Sequence, residues 1–127
     1  MVLFVHYPGC STCKKAEKWL IENGVEYTSR HIRDENPTAE ELRRWWEKSG
    51  LPLRRLFNTS GLQYRALGLK DRLGEMSEEE QLALLATDGM LVKRPIAVGE
   101  SRTLFGFSPA AWECLKSQQG GQAADGK

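Results

Sequence analysis

A short apolar run is followed at once by two closely spaced cysteines and then by a helix-prone segment. The run is Val2-Leu3-Phe4-Val5, the cysteine motif is Cys10-Ser11-Thr12-Cys13, and the helical pattern begins at Lys14. A thiol at the start of a helix faces unpaired backbone N–H groups and the positive end of the helix dipole, and both lower its pKa. The order of these segments therefore predicts a strand, a turn and a helix that carry a dithiol redox site.

The two cysteines are predicted to have different roles. Cys10 lies at or just before the first helical turn, which makes it the candidate nucleophile. Cys13 follows three residues later on the same helix face, close enough to attack a mixed disulfide formed at Cys10. Lys14 adds positive charge beside the motif.

Two other readings of the motif are a zinc site and a pair of inert core cysteines. As further zinc ligands the chain offers only Cys114 and the distant His6 and His31, which makes zinc the less favoured reading. Free cysteines are often buried as small hydrophobic residues. Pro8 and Gly9 are turn residues and favour an accessible motif, so the redox reading is preferred.

The length, charge and cysteine content of the chain are typical of a globular protein. Its 127 residues suit one domain with a single core, and a formal net charge of +1 gives no electrostatic case for nucleic acid or an anionic membrane as partner. No apolar stretch approaches the length of a membrane span. The odd cysteine count, 3, favours a reducing compartment over a secreted disulfide framework, so we expect a cytoplasmic protein.

Strand and helix signals alternate first, then a helical stretch intervenes before a hairpin and a last helix. Residues 34–89 form the predicted helical insertion within a single domain of residues 1–117, and residues 118–127 form a tail predicted to be disordered. The predicted strands cover residues 2–6, 25–32, 90–98 and 102–107, and the predicted helices cover residues 11–22, 38–48, 53–57, 64–69, 78–87 and 110–117.

Four further segments join the cysteine motif in a recognisable order over about residues 2–116. The sequence thereby resembles the ArsC/Spx family, which includes glutaredoxin-linked arsenate reductases and Spx-type redox regulators. The resemblance implies an α/β, thioredoxin-like (glutaredoxin-like) fold with a helical insertion between the βαβ unit and the C-terminal hairpin and helix. The segments that carry it are Tyr7-Pro8-Gly9-Cys10-Ser11-Thr12-Cys13-Lys14-Lys15-Ala16, Asn58-Thr59-Ser60-Gly61, Tyr64-Arg65-Ala66-Leu67-Gly68-Leu69, Lys93-Arg94-Pro95-Ile96-Ala97-Val98 and Leu104-Phe105-Gly106-Phe107.

The resemblance also implies site residues outside the cysteine motif. Pro95 occupies the place where proteins of this fold carry a cis-proline facing the cysteine, and Arg94 would point at the cysteine loop. A guanidinium there is suited to stabilising a thiolate or holding an oxyanion. The predicted substrate- or anion-binding residues are therefore Ser11, Thr12, Lys14, Arg94 and Pro95.

This chain departs from the arsenate-reducing members at two positions. Those enzymes cradle the oxyanion with two further arginines, and the matching positions here are Asn58 and Gly106. Nearby arginines could supply the missing charge, namely Arg54, Arg55 or Arg102.

Those enzymes also usually lack the second motif cysteine, whereas this chain has Cys13. We therefore expect a thiol-disulfide oxidoreductase that reduces a disulfide or a small oxyanion, and that is monomeric and binds no metal or organic cofactor. Glutathione, glutaredoxin or a thioredoxin-type protein would be the electron donor.

The alternative is an Spx-type regulator that binds the RNA polymerase α C-terminal domain. Such regulators use a glycine near Gly50, although Gly50 is more simply read as a helix C-cap.

Overall fold

A computed structural model describes the backbone of residues 1–124 and the side chains of residues 1–116. Short 3-10 turns at Leu53–Leu56, Leu73–Glu75 and Gly89–Leu91 connect the longer elements. The strands are β1 (Val2–His6), β2 (Tyr27–His31), β3 (Ile96–Val98) and β4 (Thr103–Phe105), and the helices are α1 (Ser11–Glu22), α2 (Ala39–Ser49), α3 (Leu62–Ala66), α4 (Leu69–Arg72), α5 (Glu78–Leu85) and α6 (Pro109–Ala124).

The four strands form one sheet in the order β2-β1-β3-β4. β1 pairs in parallel with β2 and antiparallel with β3, and β3 pairs antiparallel with β4. This arrangement confirms the predicted parallel unit and the predicted C-terminal hairpin. Because β1 is a central strand, the loop that follows it emerges from the middle of the sheet edge.

Side chains of β1 alternate between two hydrophobic clusters on opposite faces of the sheet. Val2 and Phe4 pack with residues of α1 and α6, including the fully buried Trp112. Val5 packs with residues of the helical insertion. The period-2 alternation of a strand thus places helices on both faces and fixes the direction in which the cysteine loop leaves the sheet.

The first helix of the insertion is tied to β2 by a partly buried ion pair. Thr38 and Glu41 form a capping box at the start of α2, as the sequence predicts. The Glu41 carboxylate also accepts two hydrogen bonds from the Arg30 guanidinium, at 2.7 and 2.9 Å. The same guanidinium lies 5.8 Å from the ring centroid of Trp45, so Arg30 joins β2 to α2 through both charge and stacking.

Before the last helix, the predicted elements differ most clearly from the structure at three places. The strand predicted at residues 90–98 is wrong over its first half, because Asp88 caps a 3-10 turn and Pro95 cannot donate to a sheet ladder. The helix predicted at residues 64–69 is divided into α3 and α4 at Gly68, whose φ is +63°. The segment predicted as a helix at residues 53–57 is a 3-10 turn over Leu53–Leu56.

The last helix, α6, begins at Pro109 and continues to Ala124, past the predicted end at Ser117 and into the predicted tail. Glutamine and alanine in this stretch have good helix propensity, whereas Gly120 and Gly121 have poor propensity, so propensity alone does not explain the extension. Residues 125–127 of the predicted tail lie outside the described residues. Among the residues that the structure describes, no helix is both long and apolar enough to cross a membrane.

Candidate active site

The loop after β1 turns tightly and delivers Cys10 to the start of α1. The Cys10 backbone N–H donates to the Tyr7 carbonyl at 3.0 Å, which closes the turn around Pro8 and Gly9. Cys10 is the N-cap of α1, and its Sγ accepts a hydrogen bond from the Cys13 backbone N–H at 3.4 Å. The structure therefore places a sulfur at the position where a helix N-terminus stabilises negative charge.

The two thiols of the motif have opposite electrostatic environments. Burial raises the pKa of the Cys10 thiol, but hydrogen bonds from Cys13, together with a hydrogen bond and the positive charge of Arg94, outweigh it and lower that pKa below its ordinary value. Cys13 is 1% exposed, and burial raises its pKa to about 12, helped by the neighbouring Cys10. Cys10 is thus the half-buried thiol that ionises first, and Cys13 is a protonated partner behind it.

Arg94 reaches the cysteine loop from the segment that precedes β3. The Arg94–Pro95 peptide bond is cis, which confirms the cis-proline that the family resemblance implies. The Arg94 guanidinium carbon lies 5.4 Å from the ring centroid of Tyr7, within cation–π range. The Tyr7 ring is tucked against Gly9, where an added Cβ would come within 2.9 Å of the ring. Tyr7 therefore packs against the arginine whose guanidinium stabilises the Cys10 thiolate.

An isolated antiparallel bridge between Phe57 and Val92 brings two distant parts of the chain to the site. Backbone N–H groups of Asn58 and Lys93 donate across this bridge to Leu91 and Leu56, each at 2.7 Å. The bridge aligns the segment before Arg94 with the start of the loop that contains Asn58. This pairing is what places residues separated by more than thirty positions around one cavity.

Cys10 opens onto a cavity of about 870 Å³ between the cysteine loop, the loop at residues 58–61 and the hairpin. Among the residues whose side chains the structure describes, the cavity walls carry the basic side chains Arg55, Lys93 and Arg94 and no acidic side chain. The walls also contain aromatic rings and several hydroxyl and amide groups, contributed by Thr12, Asn58, Ser60, Gln63, Thr103, Phe105, Phe107, Ser108 and Trp112. A positive field at the thiol favours its ionised form and attracts anionic reactants.

The structure brings only some of the predicted binding residues to this cavity. Thr12 and Arg94 line it beside Cys10. Ser11 and Lys14 are exposed on α1 and Pro95 is buried, and none of the three is among the lining residues. A binding role for these three residues stays a prediction.

Asn58 and Gly106 both line the cavity. Their correspondence to the oxyanion-binding arginines of the arsenate-reducing members stays a prediction. Of the arginines proposed to replace the missing charge, Arg55 lines this cavity, Arg54 lines only a second, neighbouring cavity, and Arg102 lines neither.

Two residues of the site were missed by sequence reasoning. Tyr7 belongs to a segment that carries the family resemblance, but an aromatic residue before a turn does not indicate a cation–π contact with a distant arginine. Lys93 directly precedes Arg94, and its place in the wall depends on the bridge between Phe57 and Val92. The conspicuous Lys93-Arg94-Pro95 run was the one available signal for it.

The described residues contain no cluster of three or more histidine, cysteine, aspartate or glutamate side chains suited to hold a metal ion. Cys114 is half-buried in α6, packs against the cluster around Trp112, and its Sγ lies 3.4 Å from the Ala111 carbonyl, which accepts a hydrogen bond from it. Its contacts are those of a small core residue.

Comparisons with known proteins agree with this architecture. The profile of the ArsC family matches residues 5–115. The uncharacterized protein YusI of Bacillus subtilis (strain 168) is 51% identical over 110 residues, which are 87% of this chain and 93% of YusI. Regulatory protein MgsR of the same organism is 32% identical over 113 residues, 89% of this chain and 86% of MgsR.

A crystal structure of an ArsC family related protein from Bacteroides fragilis superposes with a TM-score of 0.88 at 59% identity, and the match covers 90% of this chain and 96% of that one. The sheet order, the cysteine at the start of α1 and the cis-proline opposite it define a thioredoxin-like protein. Within that class, the chain belongs to the ArsC family.

Proposed function

We propose that this protein is a thiol-disulfide oxidoreductase in which Cys10 is the nucleophile and Cys13 resolves the mixed disulfide. One observation carries the proposal. The Cys10 sulfur accepts a hydrogen bond from the N-terminal turn of α1 and has its pKa lowered by that turn and by Arg94, whereas Cys13 is buried directly behind it with a raised pKa. This difference suits an attacking thiol and a resolving thiol.

The reaction begins when the Cys10 thiolate attacks one sulfur of a substrate disulfide. The substrate S–S bond breaks, a new S–S bond joins Cys10 to the attacked sulfur, and the other substrate sulfur leaves as a thiolate that takes a proton. Cys13 then loses its proton and attacks the Cys10 sulfur. The second substrate sulfur leaves as a thiolate that takes up a proton, which balances the proton lost by Cys13. The protein's dithiol has then given two electrons to the substrate and has itself become a disulfide.

An external reductant must return the Cys10–Cys13 disulfide to two thiols before the next cycle. We propose glutathione, glutaredoxin or a thioredoxin-type dithiol protein for this role, with no organic cofactor or metal held by the chain. A small oxyanion that thiols can reduce, such as arsenate, is a second candidate substrate class. The loss of arginine at Asn58 and Gly106 favours a disulfide over such an oxyanion.

Trapping of the mixed disulfide tests the proposal. Cys13→Ser should accumulate an adduct between Cys10 and a small disulfide such as hydroxyethyl disulfide, because no thiol is left to resolve it. Cys10→Ser should form no adduct in the motif. Intact-mass and peptide mapping after acid quenching identify the modified residue. An adduct that forms on Cys13 in the Cys10→Ser variant as fast as on Cys10 would contradict the assigned roles.

A second candidate is a redox-responsive regulator of transcription, favoured by the 32% identity to regulatory protein MgsR. In that case the dithiol would be a sensor and the partner would be the RNA polymerase α C-terminal domain. Gly50 has a φ of +70° at the end of α2, so its role as a helix cap accounts for a glycine there without a partner. Retention of purified α C-terminal domain on the immobilised protein, in either redox state, would support regulation. Failure to retain it at high concentration would remove this candidate.

A further inference from the structure

The basic residues around Cys10 are not all placed at the reacting sulfur. Arg94 lies in the wall of the Cys10 cavity alone, whereas Arg55 and Lys93 line both this cavity and a neighbouring one of about 780 Å³. Cys10 lines only the first cavity. Positive charge is therefore present at the thiol and again at the boundary between the two cavities.

The backbone at Gly106 makes room for one of these side chains. Gly106 has a φ of +80°, and its N–H donates to the Pro95 carbonyl at 2.8 Å, which fixes it at the end of β4. A Cβ added at Gly106 would come within 3.0 Å of the Lys93 Cε. The aliphatic part of Lys93 thus crosses the glycine and carries its ammonium group along the cavity wall.

Within residues 1–116, no carboxylate forms an ion pair within 4.0 Å with these cations, Arg55, Lys93 and Arg94. The Nε and Nη1 atoms of Arg94 are buried without a hydrogen-bond partner in this part of the chain. Since the net charge of the chain is only +1, the positive field here is a local property of the cavity.

We propose that Arg55 and Lys93 form a carboxylate subsite that selects disulfide substrates carrying a negative charge beside the reacting sulfur. The subsite deepens the oxidoreductase function and rests on it. A compact tetrahedral oxyanion would need donors that converge on one point. Arg55 and Lys93 instead line the wall that the Cys10 cavity shares with the neighbouring cavity. An elongated substrate can place its sulfur at Cys10 and its carboxylate at Arg55 and Lys93.

A pair of alkylating reagents measures this charge preference without any disulfide. Iodoacetate and iodoacetamide attack the same thiol and differ mainly in charge. We expect the ratio of their rates at Cys10, normalised to the ratio for free cysteine, to favour iodoacetate. The normalised ratio should fall about threefold in Lys93→Gln and in Arg55→Gln. Any change in the thiolate fraction of Cys10 affects both reagents equally and cancels in this ratio.

Arg102→Gln is the matched control, because it removes the same charge from an exposed position that lines neither cavity. Lys93→Arg should retain the ratio, since it keeps the charge. Higher salt should reduce the iodoacetate preference of the unmodified chain. A ratio that is unaffected by Lys93→Gln and Arg55→Gln, or equally reduced by Arg102→Gln, would overturn the subsite.

Three small disulfides extend the test to the reaction itself. Each rate of mixed-disulfide formation in Cys13→Ser is divided by the rate of the same disulfide with free cysteine, because the leaving thiols differ in pKa. This relative rate should be highest with dithiodipropionate, lower with hydroxyethyl disulfide and lowest with cystamine. Lys93→Gln should reduce these differences. Normal alkylation with no mixed disulfide from any of the three would contradict the oxidoreductase function, while the alkylation ratios would still decide the subsite. Equal relative rates for all three disulfides would support the oxidoreductase and overturn the selection.

Discussion

Replacement of Arg94 by glutamine tests how the protein activates Cys10. Arg94 supplies both a hydrogen bond and a positive charge to the Cys10 thiolate. Its loss should raise the pKa of Cys10 and lower the thiolate fraction near neutral pH. A hydrogen bond to a charged group contributes about 1.5–3 kcal/mol, and each factor of ten in rate corresponds to about 1.4 kcal/mol. Because Cys10 and Arg94 are both partly exposed, we expect the lower end, a loss of about tenfold in alkylation rate at neutral pH.

The assay is alkylation of the reduced protein by iodoacetamide as a function of pH, with each cysteine followed by peptide mapping. The midpoint for Cys10 should move to higher pH in Arg94→Gln, and the rate above that midpoint should be close to that of the unmodified chain. Arg94→Lys is the matched control and should lie between the two, because it keeps the charge but loses the guanidinium contact with Tyr7. A Cys10 profile in Arg94→Gln that superposes on the original would refute this account of thiol activation.

Two further predictions concern stability. Glu41→Gln keeps the capping box but removes the charge that pairs with Arg30, and should lower the free energy of unfolding by about 2 kcal/mol at neutral pH in chemical denaturation. Hydrogen bonding from Arg30 lowers the pKa of Glu41 from 4.5 to about 2. The stability difference between the original chain and the variant should therefore be complete above pH 4.5 and disappear as the pH falls towards 2. A stability difference that stays constant with pH would show that the ion pair does not cause it. Gly89→Ala should cost more than about 3 kcal/mol, because a Cβ there would overlap the Ile32 backbone carbonyl. Gly74→Ala, which meets nothing within 4 Å, is its control, and similar unfolding midpoints for the two variants would contradict the packing argument.

The strand, turn and helix around the cysteines could be predicted because each depends on local signals. The apolar alternation of β1, the turn residues before Cys10 and the capping box of α2 all lie within a few residues of the structure they determine. The segment at residues 90–95 could not be predicted in this way. Its hydrophobic residues resemble a strand, but its conformation is set by the Asp88 cap, by Pro95 and by a single bridge to Phe57.

The same distinction between local signals and contacts of distant segments applies to the residues of the candidate site. Cys10 and Cys13 were evident from their spacing, and Arg94 from its place before Pro95 in the family pattern. The positions of Arg55 and Lys93 depend on contacts between segments far apart in the chain, and so no local pattern indicates that both reach the Cys10 cavity. From the sequence, Arg55 is one of three candidates for a further positive charge, and only the structure shows that Arg55 and Lys93 both line the cavity.

Oxidation of the dithiol tests the central claim most directly. The reduced protein, treated with an oxidant that readily oxidises thioredoxin, should form an intramolecular disulfide between Cys10 and Cys13, while Cys114 remains alkylatable. Mass spectrometry of a digest made without reductant should show the peptide that contains both motif cysteines lighter by the two thiol hydrogens. Addition of a dithiol reductant should restore the original mass. Persistence of two free thiols at Cys10 and Cys13 under this oxidant would contradict a redox-active dithiol and with it the proposed function.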